Sequence, residues 1–202
     1  MSQWRAFVDS ILKKGQLPLL TWFLTDGVDT YRFAHLTFQE FLSAEELLNL
    51  CLEQPTYMNA WKDTFHVKSL EELLASQRTQ MLLMLLDLIR RHDAKEGSRL
   101  GSTVAAAMLQ SEGNSRSGGE AEKQLSVCVD GGLGTFGAGS VLFSLVNLLE
   151  STAGRVELDV SNSGLNDDGL AGCCSIVTAQ GATGFAQLTS LDLTGADITS
   201  EN

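Results

Sequence analysis

Three short strand-like runs recur in the last third of the sequence at nearly equal spacing. The runs are Leu125–Val129, Val156–Val160 and Leu188–Leu193. Taking Val127, Leu158 and Leu191 as equivalent positions gives steps of 31 and 33 residues, and helix-like stretches such as 141–149 fill the gaps. A strand and a helix repeating at a fixed period are typical of an α/β solenoid, because each unit buries its apolar face only against its neighbours. We therefore expect the start of such a solenoid over 125–202.

The N-terminal part of the chain has the order helix, hairpin, helix. Apolar residues recur at helical spacing over 4–12. Two strand-like runs, 19–24 and 30–34, then flank the pair Asp26-Gly27, which favours a tight β-hairpin turn. Another helix is predicted directly after the hairpin. This order is that of the end of a winged-helix domain.

Changes in composition divide the chain into three parts. We assign 1–53 to the winged-helix region and 54–124 to a helical domain. Within the second part, 111–123 is polar and glycine-rich with no periodicity, which indicates a linker. The repeats occupy 125–202. The predicted fold class is α+β and mostly α: a partial winged helix and a helical domain, followed by the start of an α/β repeat solenoid.

Composition excludes several classes of function. The chain has 202 residues and a formal net charge of -11, which argues against a surface that follows a nucleic-acid backbone or an anionic membrane. No apolar run is long enough to span a bilayer, and the N-terminus has no basic leader before an apolar block. The four cysteines form no C-x-x-C pair. Free thiols in a reducing compartment, the cytoplasm, are therefore expected.

Two predicted helices begin with a capping box, in which a hydroxyl residue and a glutamate three positions later satisfy each other's backbone N–H groups. One pair is Ser69 and Glu72, at the start of a helix that we expect to continue to Arg91. The other pair is Thr37 and Glu40, at the start of the helix that should end near residue 53.

Apolar residues around Thr37 predict how this helix enters the fold. Leu36 and Phe41 fit a hydrophobic staple across the helix start. One face of the helix follows helical periodicity and is predicted to lie in the core; its members are Phe38, Phe41, Leu42, Glu45 and Leu48.

His35 precedes this helix and is held at a strand-to-helix corner. Helix N-termini carry unsatisfied N–H donors and partial positive charge, so they favour anions, and a histidine there can donate a hydrogen bond to a phosphate. A histidine beside a hairpin can equally be a packed structural residue. The local residues leave both interpretations open.

A longer motif surrounds this histidine, with the pattern F-x-H-x-T-F-Q-E-F-L-x-A; its members are Phe33, His35, Thr37, Phe38, Gln39, Glu40, Phe41, Leu42 and Ala44. It resembles the signature of NACHT-type NTPases of the NLR and wider STAND class. The resemblance implies that the segment joins the wing of a winged-helix domain to the next helical domain. It also implies that His35 contacts the β-phosphate of bound ADP and helps to hold a receptor in its closed, inactive form.

The chain departs from that family in one respect that limits its chemistry. The family's nucleotide site needs a G-x-x-x-x-G-K-[ST] loop and an acidic, magnesium-binding strand upstream of the histidine, and neither occurs in this sequence. We therefore expect no ATP hydrolysis, no catalytic residue and no cofactor in this chain alone. In an intact relative the resemblance implies ADP or ATP with Mg²⁺.

The repeats are similar to the L-x-x-L-x-L-x-x-N-x-[LI] core of leucine-rich repeats, in the long subclass that NLR proteins carry. The residues predicted to form the repeat core are Leu158, Val160, Leu165, Leu188, Leu191, Leu193 and Ile198. Ser163 and Ala196 occupy the asparagine position, so we expect a less regular hydrogen-bond ladder. The 33-residue step predicts an insertion near 181–184.

A competing interpretation comes from a glycine-rich loop. Gly132, Gly134 and Gly137 match G-x-G-x-x-G after a predicted strand, and Glu157 and Asp159 follow about 20 residues later, as a dinucleotide fold requires. Repeats of strand, turn and helix produce the same context without a ligand. In that case the glycines only form a flexible turn. The loop has no lysine, which excludes a P-loop.

The remaining candidates carry no site. His66 and His92 have no neighbouring ligands at metal spacing, so no metal site is predicted. Cys173 and Cys174 fall in a helix-like stretch and are expected to be buried apolar surface, with no chemical role.

The sequence thus predicts a regulatory and protein-interaction fragment of an NLR-like, innate-immune-type signalling receptor. Its expected partners are proteins bound through the repeat surface and an upstream NTPase module of the same receptor, with no nucleic acid and no membrane span. A repeat interaction scaffold without a nucleotide role is the alternative, and a dinucleotide-binding α/β domain is the third. Because a repeat array needs a polar cap, we also expect this chain alone to be marginally stable or prone to aggregate.

Overall fold

The protein is mostly helical and contains a small three-stranded parallel sheet. A computed structural model describes residues 20–25, 28–33, 35–110, 124–149, 155–180 and 188–199. The strands are β1 (Leu20–Thr25), β2 (Val28–Phe33), β3 (Gln124–Cys128), β4 (Arg155–Asp159) and β5 (Leu188–Asp192). The α-helices are α1 (Leu36–Glu53), α2 (Trp61–Phe65), α3 (Leu70–Leu74), α4 (Thr79–Glu96), α5 (Leu100–Gln110), α6 (Phe136–Leu149) and α7 (Asp167–Gln180). A 3₁₀ turn, Tyr57–Ala60, precedes α2. The chain divides into two compact units, 1–43 and 44–202.

The first unit contains the predicted hairpin. Strands β1 and β2 pair antiparallel, from Leu20 opposite Phe33 to Thr25 opposite Val28. The hairpin prediction is therefore confirmed. The turn residues 26 and 27 and the helix predicted over 4–12 lie outside the described residues.

Helix α1 buries a different face from the one that its sequence predicted. Its core-facing residues follow helical spacing from the second half of the helix; they are Ala44, Leu47, Leu48 and Cys51. Phe38, Phe41 and Leu42 are instead 44%, 39% and 44% exposed, and Leu36 is 64% exposed. The predicted face is therefore wrong for Phe38, Phe41, Leu42 and Glu45 and confirmed for Leu48. The hydrophobic staple is wrong because Leu36 lies inside the helix and is exposed. The side that packs closely carries the small side chains of Ala44 and Cys51.

The single helix predicted from Ser69 to Arg91 is two helices, α3 and α4. Ser69 caps α3 as expected, since its Oγ accepts the Glu72 N–H at 3.3 Å. The Glu72 carboxylate returns to the Lys68 N–H at 2.8 Å, one residue before the position expected for a capping box. The helix breaks after Leu74, where Ser76 donates to the Leu73 carbonyl and accepts the Arg78 N–H. Such local serine bonds compete with the helical ones.

Strands β3, β4 and β5 lie side by side in that order and are parallel. Val127 pairs with Leu158, and Leu158 pairs with Leu191. The three strand predictions and the equivalence of these three positions are confirmed. The segments 111–123 and 181–184, predicted to be a linker and an insertion, lie outside the described residues.

The turn after each of the last two strands has the same geometry. The carboxylates of Asp159 and Asp192 accept the backbone N–H two residues on, each at 2.9 Å, which forms an Asx-turn. The next residues make matching reverse turns, in which Asn162 and Gly195 have φ values of 57° and 77°. The backbone geometry of these two turns therefore repeats together with the leucines, because an aspartate at the end of each strand forms the same turn.

The helices that follow the strands also begin alike. The Oγ1 of Thr135 accepts the Ala138 N–H and so caps α6, and the Oδ1 of Asn166 accepts the Gly169 N–H and caps α7. Helix α6 packs against α7 and also against α4 and α5, and it is buried throughout its central turns. The helical segment and the strand–helix units thus share one hydrophobic core within 44–202.

Burial differs between the repeat unit that begins with β4 and the one that begins with β5. Leu158, Val160 and Leu165 are each 1% exposed, as the repeat pattern predicts. Leu191 and Ile198 are 39% and 38% exposed. Leu188 and Leu193 are half-buried. The prediction that the repeat residues from Leu188 to Ile198 lie in the core is wrong for Leu191 and Ile198. The reason is that β4 lies between two strands, whereas β5 is at the edge of the described sheet.

Ser163 stands at the asparagine position of the repeat and is 1% exposed. Within the described residues its Oγ is buried without a hydrogen-bond partner. A buried hydroxyl that forms no hydrogen bond costs free energy, so we expect Ser163→Ala to raise the free energy of unfolding by about 1 kcal/mol. Urea denaturation measures the change. The control is Ser190→Ala, at an exposed position, which should change the unfolding free energy by less than about 0.5 kcal/mol. A loss of stability in the Ser163 variant would contradict the expectation.

Candidate functional site

His35, and not Thr37, caps helix α1. Helix α1 begins at Leu36, one residue earlier than predicted, so Thr37 lies within its first turn. The Nδ1 atom of His35 accepts the Thr37 N–H at 3.4 Å, and the His35 carbonyl accepts the Phe38 N–H at 3.2 Å. The predicted capping box between Thr37 and Glu40 is therefore wrong, because a residue with helical geometry cannot occupy the cap position.

This cap determines which ring nitrogen of His35 can act as a donor. Because Nδ1 accepts a hydrogen bond, the neutral ring carries its proton on Nε2. The side chain is exposed, and its ring meets the Phe38 ring edge to face, with centroids 6.4 Å apart. The Nε2–H is therefore available to an acceptor outside the helix. That geometry permits the phosphate contact implied by the motif, whose role for His35 stays a prediction.

The other motif residues line the first turns of α1. Thr37, Phe38, Gln39 and Phe41 are exposed and Glu40 is half-buried. The structure describes only the backbone of Phe33, in β2. Most of the motif side chains that the structure describes are therefore exposed to solvent, whereas Ala44 is buried in the core.

All three glycines of the G-x-G-x-x-G sequence pack against protein atoms. A Cβ at Gly132 would lie 2.6 Å from the Glu71 carbonyl oxygen, and one at Gly137 would lie 2.7 Å from the Thr79 Oγ1. A Cβ at Gly134 would lie 3.3 Å from the Gly164 carbonyl oxygen of the next turn. A dinucleotide fold needs such glycines so that a pyrophosphate can approach the backbone. Here atoms of α3, α4 and the neighbouring turn lie close to these glycines. The need to pack against them explains why the loop has glycines at these positions.

The face of the sheet opposite its buried residues is acidic. Val156 and Leu158 of β4 are buried, whereas Glu157 and Asp159 alternate with them and are half-exposed. The strand register places Asp159 between Cys128 and Asp192. Burial, together with the nearby Asp130 and Asp159 carboxylates, raises the pKa of the Cys128 thiol to about 12. We call the surface formed by Asp130, Glu157, Asp159 and Asp192 the acidic sheet face.

Hydrogen bonds hold Asp159 and Asp130 of the acidic sheet face in place. Hydrogen bonds from the side chain and backbone of Ser161 hold the pKa of Asp159 below its usual value, although burial opposes them. Cys128 donates to Asp130 at 3.2 Å. The Cys128 thiol is therefore neutral and lies between the carboxylates of Asp130 and Asp159.

A cluster that the sequence did not predict lies between α4 and α5. Asp93 accepts hydrogen bonds from the Ser98 hydroxyl and from the backbone N–H groups of Leu100 and Gly101, the latter two at 3.1 and 2.8 Å. The His92 Nδ1 lies 3.2 Å from the Ser98 Oγ. These residues cap the start of α5, since the Asp93 carboxylate binds the hydroxyl and two helix N–H groups, and the His92 Nδ1 lies 3.8 Å from its Oδ1. Gly97 after α4, followed by Ser98, is the sequence signal of this corner.

The other histidine, His66, has a structural position. It ends α2 in a left-handed conformation with φ of 50°. Within the described ranges no group of three or more His, Cys, Asp or Glu residues could hold a metal ion. No helix in the described part of the chain is long and apolar enough to cross a membrane.

Comparisons of the chain with models of protein families, with curated proteins and with solved structures find no match. The NLR resemblance therefore depends on the motif around His35 and on the repeats.

Proposed function

We propose that this chain is a regulatory and protein-interaction region of an NLR-like, cytoplasmic signalling receptor, without catalytic activity of its own. The observation that carries the proposal is the row of three parallel strands in the register Val127, Leu158, Leu191, with a capped helix after β3 and β4 and an Asx-turn after β4 and β5. A leucine-rich-repeat solenoid has this order of elements. The motif around His35 is the reason for assigning this repeat architecture to an NLR-like receptor.

His35 has the role of an ADP sensor in this proposal. Its exposed Nε2–H would donate to the β-phosphate of a nucleotide whose other contacts come from an NTPase module upstream in the receptor. Exchange of the nucleotide would remove that contact and shift the receptor from a closed to an open population. Support comes from the hairpin directly before His35 and from the cap that orients its ring.

The acidic sheet face is where we place the protein partner. It presents Glu157, Asp159 and Asp192 beside Asp130, and Arg155 is the basic residue of β4. Burying carboxylates at an interface is unfavourable unless cations neutralise them, so the partner segment must be basic.

The first test is the reading frame upstream of Met1. An in-frame G-x-x-x-x-G-K-[ST] loop supports the receptor, and a stop codon without that loop contradicts it. In the longer protein we expect His35→Asn to lower the amount of ADP that copurifies by at least about tenfold, a loss of about 1.4 kcal/mol. Asparagine can still cap α1, so helix loss does not explain the result. The control is His66→Asn, at an exposed position whose left-handed backbone asparagine tolerates.

An interaction scaffold without nucleotide binding is the second candidate. The observation that favours it is the packing of α4 and α5 on α6, which covers the helix of the first strand–helix unit as a helical cap would. The upstream stop codon would select this function. A third possibility, dinucleotide binding by 120–202, predicts heat on titration with NAD or FAD. We expect no heat of binding, because protein atoms lie directly against the glycines of the loop.

Charge on the acidic sheet face can be tested in this chain directly. We expect Asp159→Asn combined with Asp192→Asn to weaken binding of an oligolysine peptide at low salt by about threefold or more. Asparagine keeps an oxygen acceptor for each Asx-turn, so the turns should persist. The control pair, Asp63→Asn with Asp168→Asn, makes the same charge change at exposed positions away from the sheet. Equal weakening by both pairs in a calorimetric titration would show that only net charge matters.

A further inference from the structure

Three helices of the second unit enclose a half-open cleft of about 300 Å³. Helix α6 forms its floor, and α4 and α7 form its walls. The apolar lining consists of Leu83, Leu86, Phe136, Leu148, Ile176 and Ala179. The polar lining consists of Asp87, Arg90, Ser140, Ser144, Asn147 and Ser175. A cleft that is mostly apolar, with a few convergent polar groups, has the composition of a small-molecule site.

Helices α4 and α6 run side by side in the same direction. A Cβ at Gly137 would lie 2.7 Å from Thr79, so the two helix starts are adjacent. A Cβ at Gly101 would lie 2.7 Å from the Leu148 Cδ2 and 3.3 Å from the Ile89 Cγ2, so their ends are adjacent too. The serines therefore lie toward one end of the cleft and Arg90 toward the other. Along α6, Ser140 and Asn147 are separated by roughly 10 Å, at about 1.5 Å per residue.

The serine end of the cleft presents hydrogen-bond acceptors. Ser140 and Ser175 both donate to the Gly172 carbonyl, at 3.2 and 2.7 Å, and their oxygens are 3.5 Å apart. A hydroxyl has one proton, so both oxygens are left with lone pairs only. A ligand group that meets them must be a donor, such as a hydroxyl.

The other end of the cleft carries one excess positive charge. Asp87 binds Arg90 at 2.7 Å and Arg91 at 2.6 Å, so two guanidinium groups share one carboxylate. Burial raises the pKa of Asp87, but the hydrogen bonds and charges of Arg90 and Arg91 outweigh it, and the pKa is lowered overall. Arg90 lines the cleft and Arg91 does not. Within the described residues, the remaining N–H donors of Arg90 have no protein partner.

We propose that this cleft binds an elongated amphipathic acid that has a carboxylate at one end and a hydroxyl at the other. The carboxylate pairs with Arg90, the apolar body lies between Leu83, Leu86 and Ile176, and the hydroxyl donates to the partly exposed Ser175. The occupant is a small molecule and not a helix of a partner protein, because the polar groups at the two ends match one short ligand.

The test is calorimetric titration of the full chain with ω-hydroxydecanoate and with decanoate, which lacks the terminal hydroxyl. We expect ω-hydroxydecanoate to bind more tightly than decanoate by at least about threefold, and Ser175→Ala to reduce that preference. Arg90→Gln should weaken the binding of both acids by at least about tenfold. Arg91→Gln removes the same charge from the same carboxylate but outside the cleft, and should weaken binding less than about threefold.

Three results would overturn the proposal. They are no heat with either acid at millimolar concentration, equal weakening by the two arginine variants, and equal affinity for the two acids. Thermal unfolding followed by circular dichroism establishes that each variant is folded before titration. Binding of a helical peptide, without binding of either acid, would show that this surface takes a protein partner and would also overturn the proposal.

Discussion

Gly172→Ala is expected to destabilise the second unit by about 3 kcal/mol or more. A Cβ at this position of α7 would overlap the Phe136 carbonyl oxygen, and it would lie 2.8 Å from the Phe136 carbonyl carbon and 3.0 Å from the Ser140 nitrogen. These are backbone atoms of α6, so no side-chain rotation relieves the overlap and the two helices must separate. Helix propensity alone predicts the opposite sign, a gain of about 1 kcal/mol for alanine over glycine.

The matched control for this variant is Gly131→Ala. The nearest atoms to a Cβ at Gly131 are in the Glu71 side chain at 3.8 Å, an ordinary contact. We therefore expect its unfolding free energy to change by less than about 1 kcal/mol. Guanidinium denaturation followed by circular dichroism measures both variants. A Gly172→Ala protein as stable as the parent would show that α6 and α7 leave room for a Cβ at this position.

Asp93→Ala is expected to lower the free energy of unfolding by about 3 kcal/mol, because it removes the acceptor of three hydrogen bonds at the corner between α4 and α5. The Ser98 hydroxyl and the N–H groups of Leu100 and Gly101 lose their partner together. Two of these donors are at the start of a helix, where no intrahelical acceptor can replace the carboxylate. The side chain is only 19% exposed, so water replaces the lost acceptor poorly.

Two further variants separate the capping role of Asp93 from its charge. Asp93→Asn keeps an oxygen acceptor and should recover part of the stability. Asp63→Ala removes an exposed aspartate and should cost less than about 0.5 kcal/mol. Urea denaturation of the three variants gives the comparison. If Asp93→Ala and Asp63→Ala were equally stable, the corner between α4 and α5 would not depend on this carboxylate.

Local pattern was sufficient for the elements that depend on neighbours in sequence. The hairpin, the start of α3 at Ser69 and the equivalence of Val127, Leu158 and Leu191 were all predicted from spacing and composition. Alternation of apolar residues determines which strand positions are buried. A side chain just before a helix can cap it by accepting the N–H three residues later, without help from the rest of the fold.

The sequence did not determine which of two similar roles a residue takes. Thr37 and His35 can each cap α1, and only the backbone conformation shows that His35 does so. The loop from Gly132 to Gly137 has the spacing of a phosphate loop, and only the approach of α3 and α4 shows what fills the space beside it.

The sequence by itself determined the hairpin, the three repeat strands with their equivalent positions, and the motif on which the receptor proposal depends. The tertiary structure decided which surfaces are free. It exposes Phe38 and Phe41 and brings Asp93 to the start of a helix that begins seven residues later. It also buries the hydroxyl of Ser163 where no described residue forms a hydrogen bond with it. The physical reason is that periodicity reports the local backbone, whereas the contacts of a glycine, a buried hydroxyl or a capping carboxylate depend on segments distant in sequence.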